Sequence, residues 1–217
     1  YLLSEIRIVI LGQTGVGKSS LANTILGEKL FQISHCQTET RCVDGRGVTL
    51  IDTPGLFDTG RRDEKLKAEI VKCITPGLHA FIIVFKVRRF KHQEQEVIYK
   101  INRCFSEEAF KYATVVFTHG GKLEEGQTIE QYFHNNQLVS DLKKKCGGRC
   151  HVVDNKYWKN NQPDDYRSNH FQVKQLMKTI NHMIKVNKGR CCTNEILEAV
   201  EALTQEEEEK IRQCGIL

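Results

Sequence analysis

The sequence predicts an α/β fold, a mostly parallel central sheet flanked by helices with an added C-terminal helix, and three observations predict it. Apolar runs of strand length recur along the chain, stretches of helical periodicity separate them, and the first run passes directly into a glycine-rich loop and a helix-compatible stretch. The 217 residues suit one domain with a modest extension, divided at residues 1–190 and 191–217.

The first strand is expected at Ile6–Leu11 (IRIVIL), continuous in apolar residues as a strand buried on both faces must be, and a helix follows through Leu26. Val48–Ile51 forms a second strand that ends in DTPG. Ala80–Val87 (AFIIVFKV), Ala113–Phe117 (ATVVF) and the shorter Cys150–Val153 complete the set. Between them, Val97, Ile98, Ile101 and Phe105 share one helical face, as do Val173, Leu176, Ile180, Met183 and Ile184. Strands alternating with helices of this length imply right-handed crossovers and a parallel sheet. Beyond residue 190, Ile196, Leu197, Val200 and Leu203 precede four glutamates at 206–209, an amphipathic helix with an acidic end, expected to pack on the domain rather than bind a partner.

Composition excludes several classes. Against 27 acidic residues stand 32 basic ones, a net charge of +5 spread without a basic stripe, so no nucleic-acid partner is expected. Nine cysteines at irregular spacing form no even disulfide framework and fit reduced thiols in the cytoplasm. No signal peptide is evident, and no apolar run approaches the roughly 18 residues a spanning helix needs. The cluster CGGRC at 146–150 with His151 lacks a second ligand pair, and no zinc is expected there. Cys214-Gly-Ile-Leu fits the spacing of a prenylation signal, but the run upstream is acidic and prenylation is not expected.

The chemistry is concentrated at Gly12-Gln13-Thr14-Gly15-Val16-Gly17-Lys18-Ser19, a complete phosphate-loop pattern between a strand and a helix, with Ser20 following. Glycines let backbone N–H groups wrap a phosphate, the helix N-terminus adds partial positive charge, Lys18 reaches the β and γ phosphates, and Ser19 ligates Mg²⁺. Asp52-Thr53-Pro54-Gly55 emerges at a strand's carboxyl end. Asp52 then faces the metal beside Ser19, and the Gly55 N–H faces the γ phosphate.

The segments GQTGVGKSS, VDGRGVTLIDTPGLFDT, PGLHAFIIVF, EEAFKYATVVFTHG and KKCGGRCHVVDNK resemble the immunity-associated GTPases, the GIMAP family with its AIG-type G domain, relatives of septins and chloroplast-import GTPases. The likeness covers almost the whole chain. It implies a P-loop NTPase of Ras-like form, GTP and GDP as ligands with Mg²⁺, slow hydrolysis, and nucleotide-controlled pairing into a homodimer or oligomer through the nucleotide-side face. It also implies a cytoplasmic protein, peripheral on intracellular membranes. His119 is then expected to stack on the base, and Asn155 matches the family's base-contacting asparagine.

Three departures from the pattern stand out. The first switch, FQISHCQTETRC, is short and places Ile33 near the threonine that closes on Mg²⁺, leaving Ser34, Thr38 or Thr40 as substitutes. The stretch CITPGLHAF is also short. The aspartate expected after Thr118-His119-Gly120 is Gly121, with Asp154, Glu124 or Glu125 as other acceptors for the base and Gly121→Asp as the change expected to tighten GDP. Where many GTPases orient water with a glutamine, this chain has Leu56, then Phe57; Arg61 and Arg62 follow, and no catalytic residue is assigned. Besides a slow GTPase switch or scaffold, the sequence fits a degenerate member acting as an interaction platform. An ATP-using P-loop kinase would need a catalytic carboxylate that is not evident.

Overall fold

A computed structural model describes residues 5–32, 37–53, 77–90, 92–104, 107–159 and 161–192. Six strands, β1 (Glu5–Leu11), β2 (Gln37–Val43), β3 (Arg46–Asp52), β4 (Ala80–Lys86), β5 (Ala113–Thr118) and β6 (Cys150–Val152), form one sheet in the order β2-β3-β1-β4-β5-β6. β2 alone runs antiparallel to its neighbour, β3. The sequence reading had no strand at 37–43. Its hairpin to β3 turns on Asp44 and Gly45, whose φ angles of 49° and 77° are the left-handed pair of a two-residue turn matched to strand twist.

The helices among the described residues are α1 (Lys18–Leu26), α2 (His92–Cys104), the single turn α3 (Ile129–Tyr132), α4 (Gln137–Lys145) and α5 (Asn169–Val186). Alternate side chains along each strand enter opposite layers. Ile6, Ile8, Ile10, Leu50, Ile82, Val84 and Val116 pack with Leu21 and Ile25 of α1 and Leu176, Ile180 and Ile184 of α5. On the other face Val9, Leu11, Phe81, Ile83, Phe85, Val115 and Phe117 pack with Val97, Ile98 and Ile101 of α2 and Val139 and Leu142 of α4. Coverage on both faces is why β4 and β5 are apolar without alternation. In the second layer Phe117 and Phe133 lie 4.6 Å apart between ring centroids and Phe90 and Phe133 5.3 Å, contacts of about 0.5–1.5 kcal/mol each beyond their buried area.

Parallel strands bring their carboxyl ends to one edge, where an open α/β sheet binds its ligand. That edge carries the loop after β1, Asp52 at the end of β3, His119 after β5 and Asn155 beyond β6. The proposed extension lies outside the described residues beyond Cys192, whose backbone N–H donates to Leu78 O at 2.7 Å. Among the described residues no helix is long and apolar enough to cross a membrane.

Candidate functional site

The phosphate loop has the backbone its glycines allow. Gly15 and Gly17 lie at φ 77° and 94°, in the left-handed region, and a Cβ on Gly12 would meet Val84 O at 2.8 Å. Gly17 caps α1 without a side-chain acceptor, so the first turn of the helix presents its N–H groups to whatever the loop holds. Lys18 is 7% exposed and its Nζ donates to Gln13 O at 3.0 Å, which folds the cation back over the loop. Val16 is buried in the core layer below, Thr14 and Gly15 are exposed, and Ser20 offers its carbonyl to Thr24 Oγ1 at 2.9 Å.

Metal chemistry centres on Asp52. β3 pairs with β1 so that Asp52 stands beside Ile10, two residues before Gly12, and the Ser19 hydroxyl donates to Asp52 Oδ2. Its other oxygen, Oδ1, is buried and has no hydrogen-bond partner among the described residues. An orphaned carboxylate oxygen beside a serine hydroxyl is a donor set for a hard, oxygen-seeking cation, so Ser19 and Asp52 fit Mg²⁺. Burial pushes the Asp52 carboxyl above its usual range, while the Ser19 hydrogen bond and the Lys18 charge pull it down. Thr53, buried, donates to Ile10 O at 2.7 Å and pins the strand end.

On the base side, Thr118 does more than end a strand. Its hydroxyl lies 2.7 Å from Val16 O and 3.3 Å from Phe85 O, tying β5 to the phosphate loop. His119 follows at φ 64°, exposed, its Nδ1 2.9 Å from Thr118 Oγ1. Partial desolvation first, then Lys86 and Lys122, hold its imidazole below the usual value. Asn155 accepts from Thr24 Oγ1 at 3.0 Å, and its Nδ2 lies 3.2 Å from where a Cβ on Gly17 would stand. A groove of about 860 Å³ beside α1, lined by Ser20, Thr24, Glu28, Asp44, Asn155 and Lys174 among others, adjoins Asn155 but takes in none of Gly12–Ser19, Asp52 or His119.

Asp154 is spent on structure. Its Oδ2 accepts the Gly121 N–H at 2.8 Å, its Oδ1 accepts those of Lys156 at 2.8 Å and Tyr157 at 2.7 Å, and the residue is 4% exposed. Three backbone donors leave this carboxylate a loop clamp rather than a free acceptor for a base. A Cβ on Gly121 would stand 3.0 Å from Asp154 Oδ2 and 3.1 Å from Tyr157 Cδ2, so Gly121→Asp sets a packing cost against the gain expected from sequence. Thr40 likewise leaves the metal question: it pairs with Thr49 in the hairpin, their hydroxyl oxygens 2.6 Å apart, well back along β3 from Asp52. Thr38 is exposed beside Ile51, and Glu124 and Glu125 are exposed on their loop. Gly55, Leu56, Phe57, Arg61, Arg62, Ile33 and Ser34 lie outside the described residues.

Sequence reasoning missed Thr118, Thr24 and the clamp at Asp154. The sequence reading names Thr118 only as the residue before His119; a polar residue closing the strand Ala113–Thr118 is the available signal. Among the described residues no group of three metal-ligating side chains comes together, at Cys146, Cys150 and His151 or elsewhere. Burial raises both thiols to about 12 and pushes the His151 imidazole down to about 4.

A six-stranded, mostly parallel sheet with a phosphate loop after β1 and an aspartate at the end of β3 defines a P-loop G domain. The chain belongs to the AIG1 family, whose model matches residues 6–213. It is 33% identical over 221 aligned residues, 94% of this chain, to immune-associated nucleotide-binding protein 9 of Arabidopsis thaliana, and spans 61% of that relative's length. The Arabidopsis thaliana Toc33 structure in complex with GDP and Mg²⁺ aligns with a TM-score of 0.68 at 20% identity, covering 87% of each chain. A structure described as showing that dimerization is important for the GTPase activity of the chloroplast translocon components atToc33 and psToc159 aligns at 0.65 and 18% identity, over 83% of each chain. At these identities the structural likenesses establish the fold.

Proposed function

We propose that this domain binds GTP and GDP with Mg²⁺ and acts as a slow GTPase switch or scaffold whose nucleotide state controls pairing of its G domains. One observation carries the reading: Lys18 folded over a glycine-built loop, beside a buried Asp52 whose Oδ2 already holds Ser19 and whose Oδ1 has no partner among the described residues. Lys18 and the loop N–H groups would hold the phosphates, and Ser19 and Asp52 the metal, which when bound supplies charge neutralisation between phosphates. His119 would cover the base and Asn155 would contact its edge. With Asp154 committed and glycine at 121, selectivity for guanine should be weaker than in a member with an aspartate there, by about 1–3 kcal/mol, the cost of an unmade polar contact. Membership of the AIG1 family and the nucleotide-bound structures it resembles support the ligand. The pairing of G domains rests on the family resemblance and on what is described for Toc33 and Toc159.

Calorimetric titration with GDP and Mg²⁺ tests the core of this. Lys18→Ala should weaken binding by several kcal/mol, because a charge-assisted contact in a largely buried setting is lost. Equal affinity in parent and variant would overturn the assignment. Sedimentation with GDP against a non-hydrolysable GTP analogue tests nucleotide-controlled pairing, and an identical mass in both states would leave the domain an interaction platform.

A further inference from the structure

At the opposite end of the sheet, where β5 and β6 begin, a second cavity of about 530 Å³ is lined by Lys111, Gly147, Arg149, Lys178, Thr179, His182, Met183, Val186 and Asn187. Three of these carry permanent positive charge and, among the described residues, none of the lining is a carboxylate. Arg149 organises the wall. Its Nε donates to Ala113 O at 2.7 Å and its Nη2 to Phe110 O and Lys111 O, both at 3.0 Å, so the guanidinium is held in a fixed plane by carbonyls. Gly147, at φ 59°, makes room for this: a Cβ there would lie 2.7 Å from Arg149 Nη1. No carboxylate among the described residues pairs with Arg149, and burial lowers its affinity for its proton. A partly buried guanidinium satisfied by neutral dipoles alone keeps its net charge, and such a charge attracts an anion.

The rest of the wall fits the same ligand. Lys178 projects exposed from α5 without an ion-pair partner among the described residues, and one turn further on His182 adds donors on the same face. Thr179 brings a hydroxyl already 3.0 Å from His151 Nε2. Lys111 shares its charge with Glu108 at 2.6 Å, a surface pair that an incoming polyanion can displace. Val186, 65% exposed, stands at the rim. We propose that this cavity is a second ligand site, distinct from the phosphate loop, that takes a phosphate-bearing anion such as a phosphorylated inositol, with Arg149 Nη1, the guanidinium nitrogen those carbonyls do not engage, as the fixed donor and Lys178 as the second cation.

The test uses the whole chain with GDP and Mg²⁺ in excess, so that the phosphate loop is occupied, and repeats it in Lys18→Ala so that failure of nucleotide binding is read separately. Inositol trisphosphate is titrated by calorimetry, and vesicles of phosphatidylcholine with and without phosphatidylinositol bisphosphate are used for co-sedimentation. Saturable binding of the soluble probe is expected, persisting in Lys18→Ala, and Lys178→Glu should weaken it about ten-fold or more while GDP affinity stays unchanged. Arg149→Lys keeps the charge but loses the Nη1 donor held in place by the carbonyls, and should weaken it too in a protein whose melting transition remains cooperative. Binding of the soluble probe without binding to the phosphoinositide vesicles assigns a free phosphate ester. Vesicle binding that the probe competes away, and that Val186→Asp diminishes, assigns a lipid headgroup. The proposal fails if neither probe binds saturably, if binding vanishes when GDP is in excess, or if Lys178→Glu leaves it unchanged.

Discussion

Asp154 offers the sharpest way to separate clamp from reader. Its two oxygens accept three backbone N–H groups, joining the turn after β5 to the turn after β6 across 33 residues of chain. Asp154→Ala leaves all three donors without their acceptor in a position only 4% exposed, at about 1 kcal/mol each, so roughly 3 kcal/mol of stability should go. Asp154→Asn keeps an oxygen for Lys156 and Tyr157 but turns an amide donor toward the Gly121 N–H, and should cost about 1–2 kcal/mol. Urea unfolding of nucleotide-stripped protein reads this directly, because bound nucleotide would add its own stabilisation by mass action. GDP affinity, titrated separately on the folded Asn variant, should fall less than about ten-fold, since the carboxylate acts through the loop. If Asp154→Ala unfolds within about 0.5 kcal/mol of the parent while GDP affinity drops a hundred-fold or more, the carboxylate reads the base and the clamp is wrong.

Three further outcomes are expected. With leucine rather than glutamine after the DTPG motif, phosphate release by dilute monomer should run near or below about 10⁻⁴ to 10⁻³ per second, and a rate of about 1 per second without a partner would refute it. His151 is held near 4 when folded, below the unfolded value of about 6.5, so between those values the unfolded chain binds a proton the folded one does not. Stability should therefore fall as pH drops from about 6.5 toward 4, by up to about 3 kcal/mol, and urea titrations at several pH values should show that share gone in His151→Gln. Gly120→Ala would drive a Cβ to 2.5 Å from Trp158 Cη2, and thermal melting should report a loss of about 1–3 kcal/mol.

How much of this was readable from sequence follows from how local each cause is. The phosphate loop was legible because its glycines, lysine and serine act within eight consecutive residues. β1, β4 and β5 were legible because burial on both faces demands unbroken apolar runs. β2 was not: QTETRCV is an edge strand whose residues are all at least partly exposed, so hydrophobicity carries no signal and only the Asp44-Gly45 turn betrays the hairpin. Nor could the sequence say that Asp154 is consumed, because its partner Gly121 lies in another loop, or that Gly120 must be glycine, because the indole of Trp158 fills the space. The expectation for Gly121→Asp therefore carries a steric cost that sequence could not show, because a Cβ at 121 stands 3.0 Å from Asp154 Oδ2.

Helix α5 has its two ends in different neighbourhoods. Asn169, in its first turn, exchanges hydrogen bonds with the backbone of Asp154, donating from Nδ2 to the carbonyl at 2.7 Å and accepting the N–H at 3.0 Å. Asn187, just past its last turn, reaches back to Lys111 O at 3.4 Å, at the foot of the sheet. The helix itself, Asn169–Val186, is 18 residues, about 27 Å, seated on the sheet by Leu176, Met177, Ile180, Met183 and Ile184. One rigid element therefore spans the domain from the edge that carries Asp154 to the foot of the sheet. Any coupling it carries is symmetric in free energy: whatever factor an occupant at the foot imposes on nucleotide affinity, nucleotide must impose on that occupant in return.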